Sequence, residues 1–237
     1  MSLTEAQIDR YSRQIILPQV GGRGQEILLQ SAVAIVGTGE PAVTAALYLA
    51  AAGIGRLGLY HAPGESADPL PFLRDDLADL NPDVSLAVAP LPVGDPFPTA
   101  WVLPYDLLVA GGVSAETLVL VCEASAAQRR ALVAGGVAGS LGWLSATNGP
   151  ATPCALCAAL TALADAGDAG ATALEPTVAG VIGSLQALEV LKLRLGVESL
   201  RSGSWLQFDA AASSLEERAI VARDDCPVCA PAVRALN

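Results

Sequence analysis

SAVAIVGTGEPAVTAALYLAAAGIGR, residues 31–56, is the stretch that decides the fold of this chain. The run from Ala32 to Val36 is short, apolar and rich in β-branched residues, which predicts a buried parallel strand. Gly37-Thr38-Gly39 predicts a tight turn, and the helix formers from Ala42 to Ala52 predict a helix that stops at Gly53. A strand, a glycine turn and a helix N-terminus together place backbone N–H groups where they can hold a phosphate.

The loop has the G-x-G-x-x-A form of dinucleotide-binding turns, in which alanine is tolerated at the third position. Its candidate nucleotide-binding residues are Gly37, Thr38, Gly39 and Glu40. The same pattern also fits a doubly wound domain with an ordinary tight turn and no nucleotide. The loop alone leaves both interpretations open.

Strand and helix patterns alternate along the chain, which predicts an α/β fold with a Rossmann-like, doubly wound and mostly parallel sheet. Within it, Leu118–Cys122 is predicted to be a strand and Ala126–Ala134 the following helix. Ser204–Phe208 and Leu215–Val221 flank a turn and are expected to pair antiparallel. We expect one domain over residues 1–237: N-terminal helices to residue 30, a nucleotide-binding core over 31–150, and a long helix, antiparallel strands and a metal site over 151–237.

Composition narrows the function classes. The chain has 237 residues, of which 52% are hydrophobic and only 16% charged, so it can bury a large core. The net charge of −11 argues against a nucleic-acid groove, which needs a basic stripe, and against an anionic membrane surface. Mean hydropathy is +0.48, yet each long uncharged stretch is too short or too broken to span a bilayer. The polar start of the chain is not a secretory signal, so a cytoplasmic location is expected.

Four of the five cysteines form two C-x-x-C pairs, Cys154/Cys157 and Cys226/Cys229. Two such pairs can complete a closed tetrahedral Cys₄ zinc site, whose role is structural because no coordination position stays open. The alternative is a pair of redox motifs, but neither pair follows a first strand as a thioredoxin-like site would. Cys122 stands alone in an apolar run and is expected to be a core residue.

Several separated motifs together resemble the ThiF/MoeB/HesA family, bacterial relatives of the ubiquitin-activating enzymes. They cover nearly the whole chain: Arg10-Tyr-Ser-Arg-Gln-Ile-Ile-Leu17, the Gly37 turn, Asn81-Pro82-Asp83, the segment Gly180–Lys192, and the two C-x-x-C pairs.

The resemblance implies an adenylyltransferase that uses ATP and Mg²⁺ to activate the C-terminal glycine of a ubiquitin-like sulfur carrier. It further implies a homodimer, a structural zinc on the four paired cysteines, and an arginine, Arg13 here, that reaches into the partner protomer's nucleotide site.

The chain departs from the family pattern at the residues that are expected to bind the ribose, the phosphates and Mg²⁺. The family has an acidic D-x-D motif that holds the ribose, and this chain has His61 and Pro63 at those positions. An imidazole cannot offer the bidentate anion that the ribose diol favours. No cation occurs in the phosphate-binding segment before Arg74, which is a weak substitute. Aligned with the family motif D-C-T-D-N, Cys122 is in register and Ala124 replaces the Mg²⁺-binding aspartate, with Glu123 beside it as a weak candidate.

Two function hypotheses follow. The favoured one is a non-catalytic relative, a zinc-containing homodimer or a heterodimer with an active paralogue, that binds a ubiquitin-like or sulfur-carrier protein and for which ATP and Mg²⁺ are doubtful. The alternative is a working adenylyltransferase with a rearranged site built on Glu123, Arg74 or Asp75-Asp76. An oxidoreductase is a weak third reading, because no acidic residue ends the second strand for an adenosine ribose.

Overall fold

An eight-stranded sheet organises the computed structural model, which describes residues 3–148, 153–167, 172–201 and 203–230. The strands, in chain order, are β1 (Ala32–Val36), β2 (Arg56–His61), β3 (Ser85–Pro90), β4 (Leu107–Gly111), β5 (Ala131–Ala138), β6 (Leu141–Thr147), β7 (Ser204–Asp209) and β8 (Ser214–Ala219). Their spatial order is β3-β2-β1-β4-β5-β6-β7-β8. The first five in that order are parallel and the last three pairings are antiparallel, as predicted.

Helices cover both faces of this sheet. They are α1 (Glu5–Ile15), α2 (Gly21–Gln30), α3 (Glu40–Ala52), α4 (Pro69–Leu80), α5 (Ala115–Ala127), α6 (Ala155–Ala166) and α7 (Glu175–Leu195), with a short 3-10 helix at Thr99–Val102. Apolar residues of α3, α4 and α7 form one core, and those of α5 and α6 form the other. No helix within the described ranges is long and apolar enough to cross a membrane.

Two of the motifs that carry the family resemblance meet in one hydrogen-bonded cluster. Thr4 and Gln7 form a capping box at the start of α1, which directs Tyr11 inward. The Tyr11 hydroxyl donates to Asp83 Oδ2 at 3.1 Å and accepts from Asn81 Nδ2 at 2.9 Å, and Asn81 also donates to the Ala50 carbonyl at 2.7 Å. Burial raises the pKa of Tyr11 to about 12. The Asn81-Pro82-Asp83 motif therefore connects the N-terminal helix α1 to the end of α3, which packs on the sheet.

The prediction for residues 118–134 is wrong. Leu118–Cys122 lies inside α5, and Ala131–Ala134 begins β5. The apolar run resembles a strand because α5 is packed so deeply that most of its faces are apolar. The overlooked signal is Ser114, whose hydroxyl accepts from Thr117 N at 3.2 Å and caps the helix.

Helices α3 and α7 approach most closely at Gly183. A Cβ at this position would lie 2.5 Å from the Pro41 carbonyl oxygen and 2.6 Å from the Thr44 Cβ, so the contact needs a glycine. Because Pro41 belongs to the first turn of α3, this crossing also fixes the start of α3 against α7.

We expect Gly183→Ala to lower the free energy of unfolding by about 1–3 kcal/mol, because the added methyl group overpacks the crossing. Gly180→Ala, one turn earlier on the same helix, is the matched control. A Cβ there meets nothing within 4 Å, so the change should be neutral or stabilise by about 0.5–1 kcal/mol. Urea denaturation of both variants measures the difference, and equal effects would contradict this account of the crossing.

Candidate functional site

The glycine turn lies where the strand order reverses, between β1 and β4. Gly37 has φ +120°, and a Cβ on it would lie 2.4 Å from the Gly111 carbonyl oxygen and 3.1 Å from Val113 Cγ1. The Gly37 amide donates to the Tyr60 carbonyl at 2.9 Å, which ties the turn to the end of β2. In open α/β sheets this crevice is the usual place for a ligand.

The first turn of α3 differs from an open phosphate cradle in two ways. Gly39 is the N-cap and has no side chain to accept from the helix, and Glu40 brings an exposed carboxylate into the first turn. A carboxylate there already complements the positive end of the helix, so an incoming phosphate meets repulsion. Pro41 contributes no N–H, which removes a donor from the turn.

The end of β4 presents no carboxylate to the glycine turn. The strand is followed by Gly112, Val113 and Ser114, and it is Val113 whose side chain lies beside Gly37. The alignment that put the missing aspartate at Ala124 rested on a strand predicted over Leu118–Cys122, and the structure instead places Ala124 buried in the middle of α5. Glu123 is exposed on the same helix, and it does not follow a strand.

The end of β2 carries His61, as the sequence predicts. Its Nδ1 is buried and makes no hydrogen bond within the part of the chain that the structure describes. In the loop that follows, the Glu65 carboxylate accepts from the Ala62 amide at 3.0 Å and so folds back onto its own backbone. Arg74 donates to Asp75 Oδ1 from Nε at 2.9 Å and from Nη2 at 2.7 Å, so its charge is already paired.

A cavity of about 420 Å³ lies next to the glycine turn, between the N-termini of α3 and α7. Two carboxylates, from Glu40 and Glu175, line it, and no lysine, arginine or histidine is among its described lining residues. Thr172 also lines it, but its hydroxyl oxygen is buried and has no hydrogen-bond partner in the described ranges. The remaining lining residues are Gly39, Pro41, Gly112, Val137, Pro176 and Ala179.

A smaller apolar cavity of about 120 Å³ adjoins the first one and shares Gly112 and Val137 with it. It lies between α5 and α6, and its walls include Leu118, Trp143 and Leu160. We call the two cavities together the sheet-end groove. Sequence reasoning identified Gly39 and Glu40 as candidate binding residues and missed the other residues that line this groove.

The four paired cysteines come together as predicted. All four are buried and their sulfurs lie within 4.8 Å of one another. The Cys154 and Cys226 sulfurs are 3.6 Å apart, and those of Cys157 and Cys229 are 3.5 Å apart. A tetrahedral site with metal–sulfur bonds of about 2.3 Å separates its sulfurs by about 3.8 Å, so the cluster could bind a metal ion such as zinc.

The surroundings raise the pKa of three thiols of the cluster and lower that of the fourth, Cys226. Burial raises the pKa of Cys157 above its usual range and that of Cys229 to about 11. Burial also opposes ionisation of Cys226, but the amides of Cys229 and Val228 donate to its sulfur and its pKa is lowered. Turn amides of this kind are suited to stabilise a thiolate.

Arg13 lies on the exposed side of α1, in its last turn. It makes no ion pair with any residue of the described ranges. Whether it reaches a second protomer stays a prediction of the family resemblance.

The sequence profile of the ThiF family matches residues 11–60 and 72–228 of the chain. A sulfur carrier protein adenylyltransferase of Thermus thermophilus is 30% identical over 97% of this chain and 93% of its own length. Proteins named adenylyltransferase and sulfurtransferase MOCS3 are 30% identical in Aedes aegypti and 32% identical in Mus musculus, each over 96% of this chain. The chain spans only 56% and 54% of the length of these two relatives.

Solved structures share the fold at lower identity. E. coli MccB, crystallised with MccA-N7isoAsn, is similar with a TM-score of 0.71 at 17% identity, over 93% of this chain and 74% of that one. PaaA is similar with a TM-score of 0.71 at 17% identity, over 92% and 84%.

We expect the purified protein to contain one metal ion per chain, bound by the cysteine cluster. Cys226→Ser should lose it and, where free metal exceeds the dissociation constant a thousandfold, lose about 4 kcal/mol of stability. Metal analysis and thermal denaturation measure both effects. Cys122→Ser is the matched control, because Cys122 is a buried cysteine that contacts Cys154 without belonging to the cluster, and serine keeps a hydrogen-bonding group there, so the metal should be kept. A metal-free wild-type protein with an unchanged melting temperature in chelator would contradict the assignment.

Proposed function

Because the chain belongs to the ThiF family, we propose that it binds a ubiquitin-like or sulfur-carrier protein and has lost the ATP-dependent adenylation of that partner. The proposal keeps the family's protein-binding role and removes its nucleotide chemistry. It rests on the residues that surround the glycine turn.

One observation carries the proposal. At the turn itself, the side chain beside Gly37 is that of Val113, and the first turn of α3 carries the Glu40 carboxylate. A triphosphate with its Mg²⁺ needs cations or backbone donors for the phosphates and hard oxygen ligands for the metal. The alkyl side chain of Val113 cannot bind a metal, and the Glu40 carboxylate repels phosphates instead of donating to them. The residues present therefore do not fit ATP and Mg²⁺.

The neighbouring positions support the same conclusion. His61 ends β2 where a ribose-binding carboxylate is expected from the family pattern, and the nearby Glu65 is bound to its own backbone. Arg74 is held by Asp75 on the surface of α4. Ribose, phosphate and metal functions are therefore all weakened together, which favours the loss of one activity over scattered drift.

The sheet-end groove supports the partner-binding part of the proposal. The sheet-end groove remains open at the carboxyl ends of β4 and β5, and its main cavity is within the size range of small-ligand and peptide sites. An extended tail of a carrier protein can enter such a groove without a nucleotide. The Thermus thermophilus relative is named as an adenylyltransferase of a sulfur carrier protein, which supports this class of partner here.

Two further parts complete the proposal. The metal of the cysteine cluster is zinc, because four thiolates in a closed tetrahedral arrangement suit that ion and leave it no catalytic position. The protein acts as a homodimer, or as a heterodimer in which Arg13 reaches the nucleotide site of an active paralogue. In such a heterodimer Arg13 would act in the nucleotide site of the active paralogue, which would explain why a non-catalytic protomer still carries it.

The alternative is an active adenylyltransferase with a rearranged site. It is favoured by one observation, the 30% identity over 97% of this chain to a protein named as an adenylyltransferase. Such a site would need new groups to bind the phosphates and the metal. Of the two candidates, Arg74 is in an ion pair with Asp75 and Glu123 lies on the exposed side of α5.

We expect no binding of ATP with Mg²⁺ by calorimetry on metal-loaded protein, even at millimolar nucleotide, and no exchange of pyrophosphate into ATP. The physical reason is the repulsion between the phosphates and Glu40 and the lack of a metal ligand at Val113. Glu40→Gly should allow weak nucleotide binding to appear, because it removes that repulsion.

Thermal denaturation supplies an independent check on the same protein. A ligand present at a hundred times its dissociation constant stabilises the folded state by about 2.7 kcal/mol, so a clear rise in melting temperature with MgATP would contradict the proposal. Binding of a carrier protein in the absence of nucleotide, unchanged when MgATP is added, is the positive result that we expect.

A further inference from the structure

The cysteine cluster has the geometry of an oxidation site as well as that of a metal site. We infer that a hydroperoxide oxidises its four thiols to two disulfides, each of which joins one C-x-x-C pair to the other. The two bonds are Cys154–Cys226 and Cys157–Cys229. Their formation releases a metal ion held by the cluster and keeps the segment after β8 fastened to the start of α6. The inference concerns the cluster alone and is independent of nucleotide and partner binding.

The pairing follows from the distances between sulfur atoms. The Cys154 and Cys226 sulfurs are 3.6 Å apart, and the second inter-pair contact, between Cys157 and Cys229, is 3.5 Å. Each contact has to close by about 1.5 Å to reach the S–S bond length of about 2.05 Å. Cys154 is the N-cap of α6 and Cys226 lies outside any helix or strand, so side-chain rotation can supply this movement without displacing a strand. Two independent redox motifs would instead close each bond within its own C-x-x-C pair.

A small cavity gives an oxidant access to the cluster at Cys154. It has a volume of about 20 Å³, and Cys154 and Ala126 are among its lining residues. A cavity above about 10–15 Å³ can hold a water molecule, so this one suits a molecule as small as hydrogen peroxide. The second C-x-x-C pair also lies close to solvent, since the exposed residues Asp225 and Pro227 flank Cys226.

The first disulfide forms in two steps and consumes one molecule of hydrogen peroxide. The Cys154 thiolate attacks a peroxide oxygen and the O–O bond breaks, which leaves a sulfenic acid and a hydroxide that takes up a proton to become water. The Cys226 thiolate then attacks the sulfenic sulfur. The S–S bond forms as the S–O bond breaks, and the second hydroxide also leaves as water after taking up a proton. The two sulfurs are oxidised and the peroxide is reduced. A second peroxide molecule oxidises the other two thiols in the same way.

Cys122 is a fifth thiol and the competing partner for Cys154. It contacts Cys154 and lines the same small cavity, but it does not belong to the group of sulfurs that all lie within 4.8 Å of one another. The Cys226 sulfur lies 3.6 Å from that of Cys154, and we expect it to react first. Cys122 therefore stays a free thiol.

Tryptic peptides of the whole protein distinguish the possible pairings. Trypsin leaves each C-x-x-C pair on one peptide and Cys122 on a third. The three peptides are residues 131–192, 224–234 and 75–129. Metal-loaded protein is treated with millimolar hydrogen peroxide, its free thiols are alkylated, and the digest is examined by tandem mass spectrometry. We expect the first two peptides to be linked by both disulfides, Cys122 to be alkylated, and the metal to be released to a chromogenic chelator.

Thermal denaturation measures what the two bonds do to the fold. We expect the oxidised protein to melt at least about 5 °C above the reduced, metal-free protein, because two disulfides take over the connection that the metal supplied. Dithiothreitol should abolish the difference, and added zinc should then restore the higher melting temperature.

Ala126→Val tests the access through the small cavity. Its added methyl groups occupy the space beside Cys154 and should slow the loss of thiols at least about threefold, because oxidation follows exposure. Ala127→Val is the matched control. Ala127 is the next residue of α5, exposed and outside the cavity lining, so this change should leave the rate as it is.

The inference fails if the bonds form within the C-x-x-C pairs, if Cys122 is linked to any of the four cysteines, or if sulfinic acids appear without disulfides. Survival of all four thiols in millimolar peroxide would also overturn it. Equal oxidation rates for the two alanine variants would overturn the access route and, with it, Cys154 as the thiol that reacts first. None of these results bears on nucleotide or carrier binding, which the calorimetry described above tests separately.

Discussion

The rest of the structure depends on the close contact between two backbone segments, at Gly37 and Gly111, where the strand order reverses. With no side chain on either residue, β1 and β4 bring the glycine turn against the start of α3, and a Cβ on Gly111 would lie 2.6 Å from the Ala42 amide. Helix α7 then packs on α3 through Gly183. This chain of contacts sets the distance between the N-termini of α3 and α7, and so creates the groove between them.

Much of the fold could be predicted from local signals. The strand, turn and helix around Gly37, the capping box at Thr4 and Gln7, and the antiparallel C-terminal strands each have a pattern within about a dozen residues. The region of α5 could not, because a helix buried on most of its surface has no amphipathic period. The alignment of the family motif with Ala124 depended on that predicted strand, so it loses its structural basis.

The two candidate sites differ in the same way. The cysteine cluster was predictable because each C-x-x-C pair is a local motif and only two pairs had to meet. The sheet-end groove was not, because Glu40, Gly112, Val137 and Glu175 come from three elements and a loop that no spacing rule connects. The charge of the groove could be inferred only from the structure, which puts the N-termini of α3 and α7 on one cavity. The composition shows that the chain is acidic but not where its acidic residues lie.

A metal ion bound by the cysteine cluster would also be a long-range cross-link. Cys154 and Cys226 are separated by 72 residues, and the segment between them contains α7, with Glu175 at its start, and the strands β7 and β8. Closing a loop of that length lowers the entropy of the unfolded chain by an amount equivalent to about 4 kcal/mol. A metal ion on these four sulfurs would therefore hold α7 and the C-terminal strands to the body of the chain, and its removal by a chelator would loosen that whole segment at once.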